Sequence, residues 1–320
     1  MNFKEMIDQH IFKIWLEEQE GHSKTGNIWP TDASVEINGE VFGKCLRQIW
    51  YRINGFSILP IEPEKIRRFY IGTSMEKQEI EWAKELGALI DSQGEIKFQN
   101  PLCPKQTISG RYDILIKDEN GNNVIIEYKT VQGYGTYKKI FEEGLVKIEH
   151  LLQVSIYLYH MREEVKYGYI SYAYTNNWQR KDFKVSVDED GQIYLDNIIQ
   201  NISVFDIFKR WCALQKYIDN KELPPKDFTP IYTDEDEIFQ LYSDGIISKA
   251  DLKKWKYNEK IISDLQCSWC PYRHHCIFDR SEMEDRNNDG IKVEDKDIMD
   301  DIIGEFINIY SKRHLNNNRS

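Results

Sequence analysis

The spacing of apolar positions changes several times along the chain, and each change marks an element. Met6, Ile7, Ile11, Ile14 and Trp15 recur at helical spacing, which predicts an amphipathic helix over 3–19, followed by a polar, glycine-containing loop to Ala33. Helices are predicted again over 41–54, carrying Cys45, and over 73–86. A strand at 96–98 leads into two β-branched runs, 112–116 and 124–128. Between them lies Asp118-Glu-Asn-Gly-Asn-Asn123, dense in turn formers, so the pair reads as an antiparallel hairpin. A helix around Gln153 follows, then a strand at 167–174 and a strand pair, 181–187 and 193–195, joined by Asp188-Glu-Asp-Gly191. A last helix over 199–220 is stopped by Leu223-Pro-Pro225. That order predicts an α+β fold, a sheet with helices packed around it. No internal repeat is present.

The hairpin concentrates the candidate chemistry. With its turn near Asn120, Asp113 and Glu127 fall opposite each other, where facing side chains are roughly 5 Å apart. Period-two alternation puts Lys129 beside Glu127, with Ile126 and Tyr128 on the other face. Two facing carboxylates destabilise a half-buried sheet unless something neutralises them, and an oxygen-seeking divalent ion, Mg²⁺ or Mn²⁺, does so. Asp113 and Glu127 are the expected ligands. A lysine beside such an ion can hold and help deprotonate an attacking water, or stabilise charge on a phosphoryl group. Taken alone, the same residues also describe an ordinary exposed hairpin whose Glu and Lys solvate its outer face.

Composition narrows the class. In 320 residues, 41% hydrophobic and 13% aromatic, there is material for a substantial core, and a mean hydropathy of −0.61 without a long apolar run argues against a membrane span. No phosphate loop of the Gly-x4-Gly-Lys-Ser/Thr type occurs, which argues against a motor domain. The net charge of −11 is unusual for a nucleic-acid binder. Its distribution is uneven, however. Arg47, Arg52, Lys65, Arg67 and Arg68 lie among Trp50, Tyr51, Phe69 and Tyr70, a basic and aromatic mixture suited to single-stranded nucleic acid, to which Lys138 and Lys139 could add. The alternative is solvated helix faces and core aromatics. Acidity collects in 282–301, where Asp285-Arg-Asn-Asn-Asp-Gly290 imitates half a calcium loop but Lys296 occupies the twelfth position. The segment 302–310 is apolar enough to dock as a helix, and 316–320 is expected to fray.

Six cysteines without an opening apolar signal do not make a secreted disulfide scaffold. Cys267-Ser-Trp-Cys270-Pro-Tyr-Arg-His-His-Cys276, with Cys45 far upstream, supplies four thiolates, enough for a 4Fe–4S cluster or a tetrahedral Zn²⁺. His274 and His275 keep a mixed zinc set open. Cys103 and Cys212 have no ligand-like neighbours and read as half-buried hydrophobes.

Gly110-Arg-Tyr-Asp113 followed by Glu127-Tyr-Lys129 resembles the PD-(D/E)XK nuclease superfamily, and its Gly-x-x-Asp form resembles the RecB-like branch. Gln153 and Tyr157, four apart on one helix, match that branch's Gln-x-x-x-Tyr motif. Ile71-Gly-Thr-Ser-Met-Glu76 has the shape of its Gly-x-x-x-His element, with Glu76 in the histidine position, where a carboxylate could still ligate a metal. One cysteine before the core and three after it resemble the iron–sulfur members, which include CRISPR-associated RecB-like exonucleases and the AddB nuclease domain. The resemblance spans roughly residues 33–280 and favours iron–sulfur over zinc.

It implies a restriction-endonuclease-like central mixed sheet flanked by helices, with an iron–sulfur clasp joining N- and C-terminal segments. Closing so long a loop carries about 5 kcal/mol of chain entropy. The implied organisation is an N-terminal helix and loop (1–32), a cluster and DNA-binding helical part (33–70), a nuclease core (71–222), the C-terminal cluster part (223–280) and an acidic tail (281–320). The implied activity is metal-dependent phosphodiester hydrolysis by a deoxyribonuclease acting from the ends of single-stranded or unwinding DNA. In it Asp113, Glu127, Tyr128 and Glu76 are candidate metal ligands, Lys129 activates water, and Gln153 and Tyr157 hold the motif or touch DNA. RNA cleavage stays open, and a helicase, recombination or CRISPR-adaptation partner in a bacterial, archaeal or phage-infected cytoplasm fits the branch. The rival reading is a DNA-binding or assembly subunit that keeps the fold without turnover.

Overall fold

A computed structural model describes residues 3–22, 26–56, 58, 61, 63–228, 230–231, 262–263, 265–268, 270–272 and 275–276. The expectations for 282–301, 302–310 and 316–320, and for His274, lie outside these residues. The chain divides into two units, Met1–Pro271 and Tyr272–Ser320.

In the first unit, helix α1 (Phe3–His22) is followed by a 3₁₀ turn (Pro30–Asp32) and a small hairpin, β1 (Ser34–Ile37) and β2 (Glu40–Gly43). Helices α2 (Leu46–Ile53) and α3 (Pro63–Glu85) come next. The strands are β3 (Leu89–Ser92), β4 (Glu95–Asn100), β5 (Cys103–Arg111), β6 (Ile114–Lys117) and β7 (Asn123–Val131). A short helix α4 (Tyr134–Tyr137) runs into a π turn (Lys138–Glu142) and then α5 (Ile148–His160), β8 (Val165–Tyr174), β9 (Arg180–Val187), β10 (Gln192–Leu195), β11 (Ile198–Ser203) and α6 (Val204–Asn220). Two short strands, β12 (Pro230–Ile231) and β13 (Ile262–Ser263), pair with each other, and α7 spans Leu265–Ser268.

The centre is a seven-stranded mixed sheet in the order β11-β10-β9-β8-β7-β6-β3, in which β7 and β8 run parallel. Parallel neighbours require a crossover, and α5 lies on it. Its residues Leu151 through Leu158 are all buried, as expected of a helix that is apolar nearly all round. An alanine-sized side chain at Gly168 on β8 would touch Val154 and Leu158 of α5. In register, Gly168, Ile170 and Tyr172 flank Ile125, Glu127 and Lys129, so the Glu127 face of the sheet looks toward α5. The opposite face belongs to α3, where Met75 packs on Tyr128 and Ala173. The sheet is therefore mixed and flanked by helices on both faces.

Three predicted elements differ. The segment 41–54 is not one helix: Asn38 and Gly39, both at positive φ, form a two-residue turn that returns the chain as β2, and helix begins only after Cys45. Asn-Gly is a hairpin signal of the kind used for Asn120-Gly121. Residues 198–203 are strand β11 rather than the start of α6, because the Ser203 backbone N–H and hydroxyl both bond Asp206 Oδ2, at 2.9 and 3.0 Å, and set the helix boundary there. Helix α3 starts ten residues before the predicted 73, and β5, absent from the prediction, pairs with β4.

Candidate active site

The β6–β7 ladder pairs Ile114 with Ile126, so Asp113, one residue before β6, stands opposite Glu127. Asp113 is held from two sides. Its Oδ2 accepts the Tyr128 N–H at 2.8 Å, and its carbonyl accepts the Gln93 N–H at 2.9 Å. Lys129 Nζ contacts Glu127 Oε1 and lies 3.9 Å from Asp113 Oδ2. Glu127 is wholly inaccessible, whereas the Lys129 and Asp113 side chains keep 24% and 16% of their surface. Glu76, from α3, accepts a hydrogen bond from Gln93 and is close enough for its charge to act on both Asp113 and Lys129.

Three carboxyl groups thus share one lysine, and their acidities record it. Burial, opposed by Lys129 and reinforced by Asp113, pushes Glu127 up to about 8. Burial and then the Asp113 charge push Glu76 up to about 7. Asp113 is raised too, by burial, although Lys129 and the Tyr128 N–H favour its charge. Burial alone would lower Lys129, but Glu127 and Asp113 outweigh it and hold the ammonium protonated. One oxygen, Glu127 Oε2, is buried with no hydrogen-bond donor.

That orphaned oxygen, in a set of three carboxyl groups around one lysine, is the chemistry a hard divalent cation suits. Among the described residues, no three His, Cys, Asp or Glu side chains are gathered into a ready-made metal cage.

Gln153 and Tyr157 sit inside the protein, 6% and 1% exposed. Tyr157 donates to the Arg111 carbonyl at 2.7 Å and accepts from Gln153 Nε2 at 3.3 Å. The pair fixes the end of β5 two residues before Asp113, and neither is placed to meet DNA. Gly110 belongs to the same construction: a Cβ there would lie 2.6 Å from Pro30 Cδ.

The proposed basic and aromatic mixture is divided: Phe69 and Tyr70 are exposed, while other members are taken up within the fold. Tyr51 is 1% exposed, which leaves it no face for a base. Arg52 bonds Asp32 and the Asn27 carbonyl and lies 3.7 Å from the Trp29 ring. Arg47 donates to the Pro224 carbonyl and Arg67 to Asp8. These cations hold α1, α2 and the N-terminal turn to their neighbours. Arg68 is exposed.

The sequence reading missed Gln93, which serves both Asp113 and Glu76; it lies in an undistinguished turn at positive φ, and nothing in its neighbours announces it. It also missed His150, whose Nδ1 is 2.8 Å from the Tyr172 hydroxyl. Burial, then Lys129 and Lys147, keep that imidazole neutral.

None of the six cysteines is in a disulfide, and all are half-buried. Cys45 begins α2, where Leu46 N–H bonds Asp227 Oδ2 at 2.7 Å, and burial with the Asp227 charge raises its thiol to about 11. The Cys270 N–H bonds the Cys267 carbonyl at 3.2 Å. In the second unit, the Cys276 N–H bonds the Tyr272 carbonyl at 3.3 Å. Cys212 Sγ accepts from Asn100 Nδ2 at 3.6 Å and faces Cys103.

A central mixed sheet flanked by helices, with acidic and lysine side chains meeting at the β6–β7 hairpin, is the arrangement of a restriction-endonuclease-like fold. Residues 37–277 match the family model of the PD-(D/E)XK nuclease superfamily, and the chain belongs to that superfamily. Membership implies a metal-dependent nuclease, a phosphodiester hydrolase that binds DNA and uses Mg²⁺ or Mn²⁺. The solved structure titled "Crystal structure of SSO0001" is similar at 19% identity and a TM-score of 0.43, over 70% of this chain and 90% of that one. No curated protein matches the sequence. No helix among the described residues is long and apolar enough to cross a membrane.

Proposed function

We propose that the chain is a deoxyribonuclease that degrades single-stranded DNA from its ends, with Asp113, Glu127 and Lys129 as its reacting set. The observation that supports this reading is Glu127: a fully buried carboxyl group with one unpartnered oxygen, set beside Asp113, Lys129 and Glu76. Asp113, Glu127 and the Tyr128 carbonyl would hold Mg²⁺ or Mn²⁺, with Glu76 in reach, and the ion would supply charge stabilisation at the scissile phosphate. Lys129, the most accessible of the three, orients the attacking water and offers its ammonium to the charge developing on phosphorus. Asp113 and Glu127 keep that ammonium charged and aimed. Gln153 and Tyr157 position Asp113 through the Arg111 carbonyl.

Attack from ends, and an origin in the RecB-like iron–sulfur branch, rest on the Gln-x-x-x-Tyr pair and on the cysteine pattern. Cys45, Cys267, Cys270 and Cys276 are the proposed ligands of a 4Fe–4S cluster, with Zn²⁺ the alternative occupant. The return of the chain to α2 at Pro224 and Asp227 supports a clasp built around Cys45. A helicase, recombination or CRISPR-adaptation complex in the cytoplasm is the matching setting.

The test uses anaerobically purified protein with Mn²⁺ or Mg²⁺ on end-labelled linear and circular single strands, beside Lys129→Ala. Cutting of the linear strand alone, lost in the variant, is expected. Binding without cutting by either protein would replace the enzyme with a non-catalytic assembly subunit. Iron and acid-labile sulfide assays on the same preparation, with zinc measured alongside, decide the cluster.

A further inference from the structure

Immediately after the strand that carries Glu127 and Lys129, the chain builds a ladder of aromatic rings. Tyr134 and Tyr137 stack with centroids 6.1 Å apart and planes inclined by 22°. Tyr137 and Phe141 stack more closely, at 4.9 Å and 12°. Tyr137 is anchored from behind, with its ring 4.5 Å from that of Tyr174 and its hydroxyl 3.1 Å from Gln179 Oε1. Tyr174 pairs with Val131 across the parallel ladder, two residues, roughly 7 Å of strand, past Lys129.

The outer end of the ladder is open. Tyr134 is 65% exposed, and its neighbours Gly133 and Gly135 have no atoms near their missing side chains. A single exposed aromatic is ordinary. Near-parallel rings at positions i, i+3 and i+7, ending in one uncovered face beside a phosphodiesterase site, are not explained by core packing. Exposed Lys138 and Lys139 flank the ladder. Glu142 and Glu143 also lie here, and Lys138 is 3.8 Å from Glu143, so the local charge is mixed and the rings carry the recognition.

We infer that Tyr134, backed by Tyr137 and Phe141, is a base-stacking platform that receives an unpaired base of a single DNA strand next to the scissile phosphate. The inference rests on the nuclease reading above and gives its preference for single strands a physical basis. A base inside a duplex is already stacked on both faces and cannot extend the ladder, whereas an unpaired base of any sequence can. The platform thus prefers single strands without reading sequence.

The measurement is fluorescence anisotropy of labelled oligo(dT) and of a small covalently closed circular duplex, which has neither ends nor unpaired bases, with the full chain in metal-free buffer, comparing wild type, Tyr134→Ala and Tyr134→Phe. Tyr134→Ala is expected to weaken oligo(dT) binding about tenfold, the scale of one base–aromatic stack, and to leave duplex binding unchanged. Tyr134→Phe keeps the ring and should stay within about twofold of wild type. Unchanged oligo(dT) binding by Tyr134→Ala overturns the platform, as does an equal loss on duplex or an equal loss in Tyr134→Phe. Because the readout needs no cutting, the two proposals part cleanly: a platform that behaves as expected in a protein inert with Mn²⁺ and Mg²⁺ removes the nuclease reading and leaves the platform standing.

Discussion

Two buried acidic groups in this molecule are built on opposite rules. At the N-terminal turn, Asp32 Oδ2 takes the Trp29 N–H at 2.9 Å and the Arg52 guanidinium, while Arg52 also bonds the Asn27 carbonyl and covers the Trp29 ring. Each charge there meets its opposite and the donors are used. At the β6–β7 hairpin, Asp113, Glu127 and Glu76 share Lys129, and Glu127 Oε2 has no donor. A buried carboxylate matched one to one holds structure together; an excess of buried carboxylates works against folding unless a cation completes it. That imbalance, more than the acidity itself, is what distinguishes the hairpin from the turn.

The largest effect should come from the unbalanced side. Lys129→Ala is expected to lower cutting of end-labelled single-stranded DNA by about a hundredfold or more, the scale of losing one preorganised charge at a reacting centre, with oligo(dT) binding kept. Arg52→Ala should do the reverse. Leaving Asp32 buried and unpaired costs about 3–5 kcal/mol, seen as a lower urea midpoint, and any surviving folded protein should cut normally. Equal activity losses in the two variants would erase the distinction between the groups.

A pH titration of stability sharpens it further. Glu127 is raised from 4.5 to about 8, so between those values the folded state binds more protons than the unfolded chain, and stability falls as pH rises. The contribution is complete below about 4.5 and is lost as pH passes about 8. Metal-free protein should therefore unfold at lower urea at pH 8.5 than at pH 6, and Mg²⁺ or Mn²⁺ should remove much of that difference by favouring the ionised form. Glu127→Gln should abolish cutting while flattening this pH slope. A wild type whose stability is flat across the range would show that Lys129 already balances Glu127.

The hairpin was the most legible part of the chain because everything that specifies it is local. Asp118 Oδ1 accepts from the Asn120 and Asn122 amides at 2.9 and 2.8 Å, and alternation on either side of that turn dictates the pairing that sets Asp113 against Glu127. The strand at β8, the β9–β10 pair and the end of α6 were legible for the same reason. The β1–β2 hairpin was hidden by the long helical pattern that follows Cys45, and β11 by its continuity with the apolar face of α6. Long-range partners left no local trace: Gln93 reaches Asp113 and Glu76 only because the β3–β4 turn folds back to the hairpin. Spacing along a chain cannot distinguish an exposed arginine such as Arg68 from one paired with Asp32 or Asp8.

The smallest effect concerns the link between the helical layer and the site. Tyr157 is buried on α5, and its hydroxyl spends its one proton on the Arg111 carbonyl at 2.7 Å. Tyr157→Phe keeps the ring and its packing but deletes that bond, leaving the carbonyl without this donor, for a loss of about 1 kcal/mol in stability. If Tyr157 acts only in packing, cutting should be unaffected once the folded fraction is allowed for. If it positions Asp113, two residues further on, cutting by fully folded Tyr157→Phe should fall several-fold and the metal concentration for half-maximal activity should rise, while oligo(dT) binding in metal-free buffer stays at the wild-type level. The rise in metal requirement separates the two roles, because loosening a carboxylate weakens its grip on a cation before it alters anything the DNA touches.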